Sequence, residues 1–223
     1  MKSKQFIVIG LGRFGMSIAR SLFQMGYDVL AVDDDKNTVQ EIADSVTHAV
    51  QMDATDEHAL KTLGVRNFDL AVVAIGTNIQ SSIMVTLNLK EAGVAKVVAK
   101  ATNEMHAKLL TKVGADKVIL PEHDMGVRVA HSLVSSNILD FIELSPDYSL
   151  IEVSVPKEWV DKDIKTLDVR AKYGINIMAV KSGKDINISP RATDIIHQGD
   201  VLVVIGSIDD LSKVEGLLSN EDN

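Results

Sequence analysis

The chain of 223 residues is 46% apolar and carries a formal net charge of −8, enough apolar material for one substantial core and one smaller one, and so for two domains at most. The acidic balance, with no run of Lys and Arg, argues against a nucleic-acid partner, and without cysteine there is no disulfide framework, thiolate zinc site or thiol nucleophile. No signal-peptide core precedes the first apolar run, and nowhere do about 20 apolar residues follow one another. The expectation is a cytoplasmic protein that neither spans a membrane nor is exported.

From residue 5 to residue 121, short β-branched apolar runs alternate with amphipathic helical stretches, the pattern of a parallel sheet covered on both faces. Strands are expected over residues 6–9, 29–32, 49–50, 70–75, 97–99 and 118–120. Gly26, Gly64, Gly93 and Gly114 each stand just past a helical stretch, where a left-handed stop is wanted. The fold class is therefore α/β, a Rossmann-like doubly wound sheet over residues 1–121. Next comes one longer helical stretch, about residues 123–140, with Met125, Val129, Leu133 and Val134 on one apolar stripe. That stripe packs either on its own domain or, as a crossover helix, on a second subunit. Residues 122–144 form this helix and a hinge, closed by Ser145-Pro146-Asp147. Residues 145–223 change style, with β-runs at 150–153, 175–180, 185–188 and 201–205 and helical stretches near 166–172 and 209–218. This small α+β module is sized for ligand sensing or dimerisation rather than catalysis.

Gly10-Leu11-Gly12-Arg13-Phe14-Gly15 follows the first strand directly and opens the first helix, the context in which G-x-G-x-x-G signals a phosphate loop. Gly10 allows the tight turn, Gly12 lets backbone N–H groups reach a phosphate, and Gly15 lets the helix pack closely on the strand. Asp33, 18 residues past Gly15 at the end of the second strand, is placed to accept both ribose hydroxyls and to repel a 2′-phosphate. NAD or an adenosine nucleotide is thus preferred over NADP. Asp53-Ala54-Thr55 follows the third strand, where Asp53 lines the adenine pocket or caps a helix. Arg13 reaches a terminal phosphate or is an exposed helix-start arginine. Glu122, at the rim after the sixth strand, holds a divalent cation such as Mg or Ca against phosphates or favours a helix N-terminus by its charge. The histidines at 48, 58, 106, 123, 131 and 197 show no metal-ligand spacing, and neither a Gly-x-Ser-x-Gly elbow nor a Walker lysine loop is present. With no catalytic acid or base to present to a nicotinamide, the nucleotide reads as a signal rather than a substrate.

The run Gly10 to Gly15, the segment 29–33, Asp53-Ala54-Thr55 and above all residues 114–126, with Pro121-Glu122-His123-Asp124-Met125-Gly126, resemble the RCK family, also called KTN or TrkA-N domains. Residues 145–219, with Asp168-Val169-Arg170-Ala171-Lys172-Tyr173-Gly174 and residues 195–202, resemble the companion RCK C-terminal (TrkA-C) domain, so the likeness covers nearly the whole chain. It implies a non-enzymatic regulatory subunit of potassium transport. In Ktr-type members, dimers that exchange the crossover helix assemble into an octameric ring that docks on the cytoplasmic face of a membrane-embedded KtrB-type subunit. It further implies activation by ATP and inactivation by ADP, with Arg13 on the γ-phosphate and Glu122 at a cation. Cyclic di-AMP is the implied ligand of the C-terminal domain, at Ile164, Arg170, Ala171, Asn176 and Pro190. Those five also fit plain roles as core, surface charge and turn. The competing expectations are an NAD(H)-binding sensor or oxidoreductase, and an interaction scaffold with a structural nucleotide.

Overall fold

The structure, a computed structural model, describes residues 4–134, 138–145 and 147–219. It divides into two compact units, residues 1–123 and 124–223.

In the first unit, strands and helices alternate as β1 (Gln5–Ile9), α1 (Arg13–Gln24), β2 (Asp28–Asp33), α2 (Lys36–Ile42), β3 (His48–Gln51) and α3 (Glu57–Thr62). They continue as β4 (Leu70–Val73), α4 (Ile79–Glu91), β5 (Val97–Lys100), α5 (Glu104–Lys112) and β6 (Lys117–Ile119), and α6 (Pro121–Val134) then leads into the second unit. The strands form one sheet in the order β3-β2-β1-β4-β5-β6, and every pairing is parallel. Alternation along each strand explains why both faces are covered. Ile7 and Ile9 face a core with Leu60, Val85, Leu89 and Leu110 of α3, α4 and α5. Val8, between them, faces Ala19, Val39 and Ile42 of α1 and α2. Each such fully buried Ile or Leu contributes about 1.5–3 kcal/mol. The strand order reverses beside β1, so the carboxyl ends of β1 and β4 open the crevice where open α/β sheets take ligands. All four glycine stops adopt the expected positive φ, at 85°, 66°, 84° and 102°.

The helix expected over residues 123–140 is shorter. α6 begins with Pro121, whose missing N–H costs nothing at a first helical position, and ends at Val134. Residues 135–137 lie outside the described ones, as does Pro146 of the expected hinge. Residues 138–145 are not helix but strand β7 (Ile138–Ser145), paired antiparallel with β8 (Tyr148–Ser154). The pairing brings Phe141 into the second core with Ile151, Val153, Trp159, Leu202, Val204 and Leu211.

The second unit continues with β9 (Lys162–Asp163), α7 (Ile164–Leu167), α8 (Val169–Tyr173), β10 (Asn176–Ser182), β11 (Asp185–Asn187), β12 (Ile195–Ile196), β13 (Val201–Ser207) and α9 (Ile208–Ser219). Its main sheet runs β11-β10-β13-β8-β7, with β12 and β9 as a separate pair. The helical stretch read at 166–172 is two short helices, broken at Asp168, whose φ of 47° is left-handed. No helix among the described residues is long and apolar enough to cross a membrane.

Candidate functional site

The turn from β1 to α1 is built around two glycines. Gly10 has φ 89°, and a Cβ on it would lie 2.9 Å from Cγ1 of Ile75, two residues past β4. A Cβ on Gly15 would lie 1.9 Å from the Gly10 carbonyl oxygen, so helix and strand could not meet this closely with any other residue. Gly12 differs, because a Cβ there would have no described atom within 4 Å. The chain's own packing leaves this position open. Gly12 is also the N-cap of α1, and no described side chain caps it. The next four helices are capped by Asp35, Asp56, Asn78 and Asn103, each accepting a backbone N–H. The N–H groups of α1 therefore remain available to an anion, where the helix dipole favours one.

Asp33 closes the other side of the turn. One carboxylate oxygen accepts the Leu11 N–H at 2.6 Å, and the other accepts the Asp35 N–H at 2.9 Å. These bonds tie the phosphate loop to the end of β2 and fix the carboxylate, whose remaining lone pairs can accept ribose hydroxyls. Asp34 beside it is raised above the ordinary carboxylate range, first by burial and then by a hydrogen bond and repulsion from Asp33, with Asp53 adding to the repulsion. This end of the crevice thus favours hydroxyl donors and disfavours a 2′-phosphate.

Asp53 is not the cap of α3. Its Oδ1 accepts the Thr55 N–H and hydroxyl at 2.8 and 2.7 Å, which hold its carboxyl below the usual range, while Asp56 caps the helix through the N–H groups of His58 and Ala59. Ala54 is buried. The Thr55 carbonyl accepts the Asn88 side-chain amide of α4 at 3.1 Å, so a nearly buried asparagine pins the loop that the sequence placed at the adenine.

The end of the crevice beside α1 carries cations. Arg13 is the exposed first residue of α1, and the following Phe14 is half-buried, with the Lys100 ammonium 5.7 Å from its ring centroid. Lys100, the last residue of β5, is paired with Glu122 at 2.5 Å. The Lys100 hydrogen bond, and secondarily the charges of Lys100 and Arg13, hold the Glu122 carboxyl below its usual value. Arg13, Phe14, Lys100 and Glu122 thus meet beside the open helix end. Sequence reasoning found three of them and missed Lys100; its signal was a cation on the last residue of a parallel strand. Among the described residues no three His, Asp or Glu side chains could hold a metal. A cation at Glu122 would therefore need oxygens from a ligand.

The residues proposed for a second ligand lie in the second unit. Ile164 opens α7 and packs partly buried against its core, Arg170 and Ala171 are exposed on α8, Asn176 is exposed at the start of β10, and Pro190 is half-buried before β12. The N–H groups of Ile164 and Lys165 donate to the carbonyls of Asp194 and Ala192, which ties the loop after Pro190 to α7. A concavity of about 550 Å³ in this unit is lined by other residues, among them Ser182, Asp185, Asn187, Asp194, His197 and Asp200.

Comparison with known proteins gives the following. Residues 6–121 match the TrkA-N domain and residues 150–219 the TrkA-C domain. The Ktr system potassium uptake protein C of Bacillus subtilis (strain 168) is 52% identical over 212 residues, 95% of this chain and 96% of that protein. The Ktr system potassium uptake protein A of the same organism is 48% identical over 215 residues, covering 96% and 97%. A solved structure of the GsuK channel bound to NAD superposes with a TM-score of 0.68 at 17% identity, covering 97% of this chain and 39% of that one.

Proposed function

Because the chain belongs to the family that joins a TrkA-N domain to a TrkA-C domain, we propose that it is a cytoplasmic regulatory subunit of a Ktr-type potassium-uptake system, gated by adenine nucleotides. ATP is the activating ligand and ADP the inactivating one. The observation that carries this reading is the open N-terminus of α1 at Gly12 with Arg13 and Lys100 beside it, facing a carboxylate-rich end at Asp33, Asp34 and Asp53. One end suits phosphates and the other ribose hydroxyls, as a nucleotide requires. Phosphate number is then read by Arg13, whose exposed guanidinium extends beyond the loop. Control of a transporter requires that ATP and ADP favour different shapes of the assembly, since a ligand bound equally by both shifts neither.

The subunit works as a homo-oligomer, a ring of dimers docked on a membrane-embedded KtrB-type partner. Met125, Val129 and Leu133 support this, standing one turn apart on α6 and exposed to 52%, 46% and 79%. Cyclic di-AMP is the second ligand, with the exposed Arg170 and Asn176 supplying polar contacts and the exposed Ala171 methyl an apolar one. The test is calorimetric titration of the full chain with ATP, ADP and NADH. Arg13→Ala is expected to lose ATP affinity about tenfold more than ADP affinity. Equal losses, or tight binding of NADH alone, would overturn the ATP/ADP reading in favour of a dinucleotide sensor, the ligand type with which the GsuK channel was solved.

A further inference from the structure

Helix α4 buries an amide on the side it turns to its own domain. Asn88 is 7% exposed and is flanked along the helix by Val85 and Leu89, both fully buried in the first core. A polar side chain withdrawn from water costs stability unless hydrogen bonds offset it. The Asn88 amide donates one to the Thr55 carbonyl at 3.1 Å, across 33 residues of chain.

That bond completes the fixation of one short loop. The N–H and hydroxyl of Thr55 both donate to Asp53 Oδ1, at 2.8 and 2.7 Å, and Ala54 is buried in the same core as Val85 and Leu89. Thr55 is thus held on one side by its own loop and on the other by α4. The backbone N–H groups of Asp53 and Ala54, by contrast, make no hydrogen bond among the described residues. A loop that keeps donors for a base edge is selective only as far as its backbone is kept from moving. Gln51 offers a comparison: its amide donates to the Asp34 carbonyl, also at 3.1 Å, but it is exposed, and water can replace it. Solvent reaches the buried Asn88 poorly, so losing its donor leaves the Thr55 carbonyl without a ready substitute.

We propose that Asn88 is a positioning residue for base recognition: by holding the Thr55 carbonyl it fixes loop 53–55 against the base and so sets the preference of the crevice for adenine over other purines. The proposal rests on the nucleotide reading above and deepens it. Adenine presents a 6-amino donor and an N1 acceptor, whereas hypoxanthine inverts both, with a 6-carbonyl and an N1–H. A loop that offers the Asp53 carboxylate and unpaired backbone N–H groups matches the first pattern and opposes the second. Released from α4, the loop shifts to suit either base, and discrimination falls. Contacts to phosphate and ribose stay, because the turn from β1 to α1 and Asp33 are tied to each other through the Leu11 N–H and not to α4. By linkage, a base held by the loop must in turn steady α4.

The experiment is calorimetry on the full chain, as wild type, Asn88→Asp and Asn88→Leu, titrated with ATP and with inosine triphosphate (ITP), which differ only in the base. Asn88→Asp keeps the shape and sets an oxygen against the carbonyl; Asn88→Leu removes the donor without adding charge. Wild type is expected to bind ATP at least about tenfold more tightly than ITP. Each variant is expected to lose about 5- to 20-fold in ATP affinity and less than about 2-fold in ITP affinity. A merely structural role would lower both alike. Hydrogen exchange of the wild type gives a second readout that needs no variant to fold: at saturation, ATP should slow exchange along α4 more than ITP does. Equal binding of ATP and ITP by wild type, equal losses of the two in the variants, unchanged ATP affinity in Asn88→Leu, or equal protection of α4 by both ligands each overturns the role of Asn88 and leaves the nucleotide reading standing. Wild-type protein that binds neither ligand at about 1 mM overturns the nucleotide reading itself, and this role with it.

Discussion

Gly12 and Gly15 lie three residues apart in one loop and answer to different constraints. A methyl group on Gly15 would sit 1.9 Å from the Gly10 carbonyl oxygen and 3.0 Å from the Ala74 side chain, both parts of a close-packed core that cannot yield cheaply. Gly15→Ala is expected to cost about 2–4 kcal/mol in urea unfolding, because α1 must lift off β1. A methyl on Gly12 meets no described atom within 4 Å. Gly12→Ala should stay within about 1 kcal/mol of wild-type stability and yet bind ATP at least about tenfold more weakly. A Gly12→Ala protein that binds ATP normally would deny the loop its ligand. His106 adds a pH dependence at the same scale. It is buried, its Nδ1 accepts the Thr102 N–H at 3.3 Å, and its Nε2 has no partner among the described residues. Burial lowers its pKa, so folding favours the neutral ring. That contribution is fully present above the ordinary value of about 6.5 and is lost as pH falls through the lower folded value. Denaturant unfolding between about pH 7 and 5 should show stability declining towards acid, and His106→Asn should flatten the decline. An unchanged slope in the variant would assign the effect to other groups.

Among the elements, α3 and the loop before it offer a separation of stability from binding. Asp56 caps α3 and Asp53 holds the Thr55 turn. Asp56→Ala is expected to lose about 1 kcal/mol, read by chemical denaturation, with ATP affinity unchanged. Asp53→Ala should instead weaken the nucleotide while costing less stability, and the reverse pattern would move Asp53 out of the site. The sequence could not tell these two aspartates apart, since both precede the helix by a few residues and only the backbone geometry decides which one caps. The six strands of the first unit were readable because each is a short apolar run, four of them following a helix that ends at a glycine stop, and local spacing alone set the positions of Gly10, Gly15 and Asp33. The Lys100–Glu122 pair was not readable. Its members are 22 residues apart on β5 and α6, and their meeting depends on adjacent strands ending at one rim. β7 was missed for a related reason. Ile138 and Ile142 are spaced as on a helix, whereas Phe141 becomes a core residue only through the long pairing with β8, so tertiary contact overrides the local pattern.

For the whole molecule, a nucleotide signal is useful only if an assembly has two shapes for it to choose between. A stripe of apolar side chains at 125, 129 and 133 stands on the helix that leaves the finished sheet. Burying these three against a second copy would contribute about 1.5–3 kcal/mol each, enough to dominate a small helical interface. Their exposure in a single chain of 24.2 kDa leaves that gain unrealised. Leu133 is the most exposed of them at 79%, so its replacement disturbs the single chain least. Light scattering of the full chain should therefore give a mass several times the monomer for wild type, and a fraction of that mass for Leu133→Glu, whose carboxylate cannot be buried unpaired. Adenosine binding provides the control, since Asp33, the proposed ribose carboxylate, and the Thr55 loop belong to the first unit and should hold their ligand in the dissociated variant. ATP and ADP should then bind that variant with a smaller difference between them than in wild type, because the assembly whose shape distinguishes them has been lost. An unchanged mass would show that the stripe packs elsewhere. A reduced mass with the full ATP/ADP difference retained would place the discrimination within one subunit, at Arg13 and Lys100, rather than in an assembly.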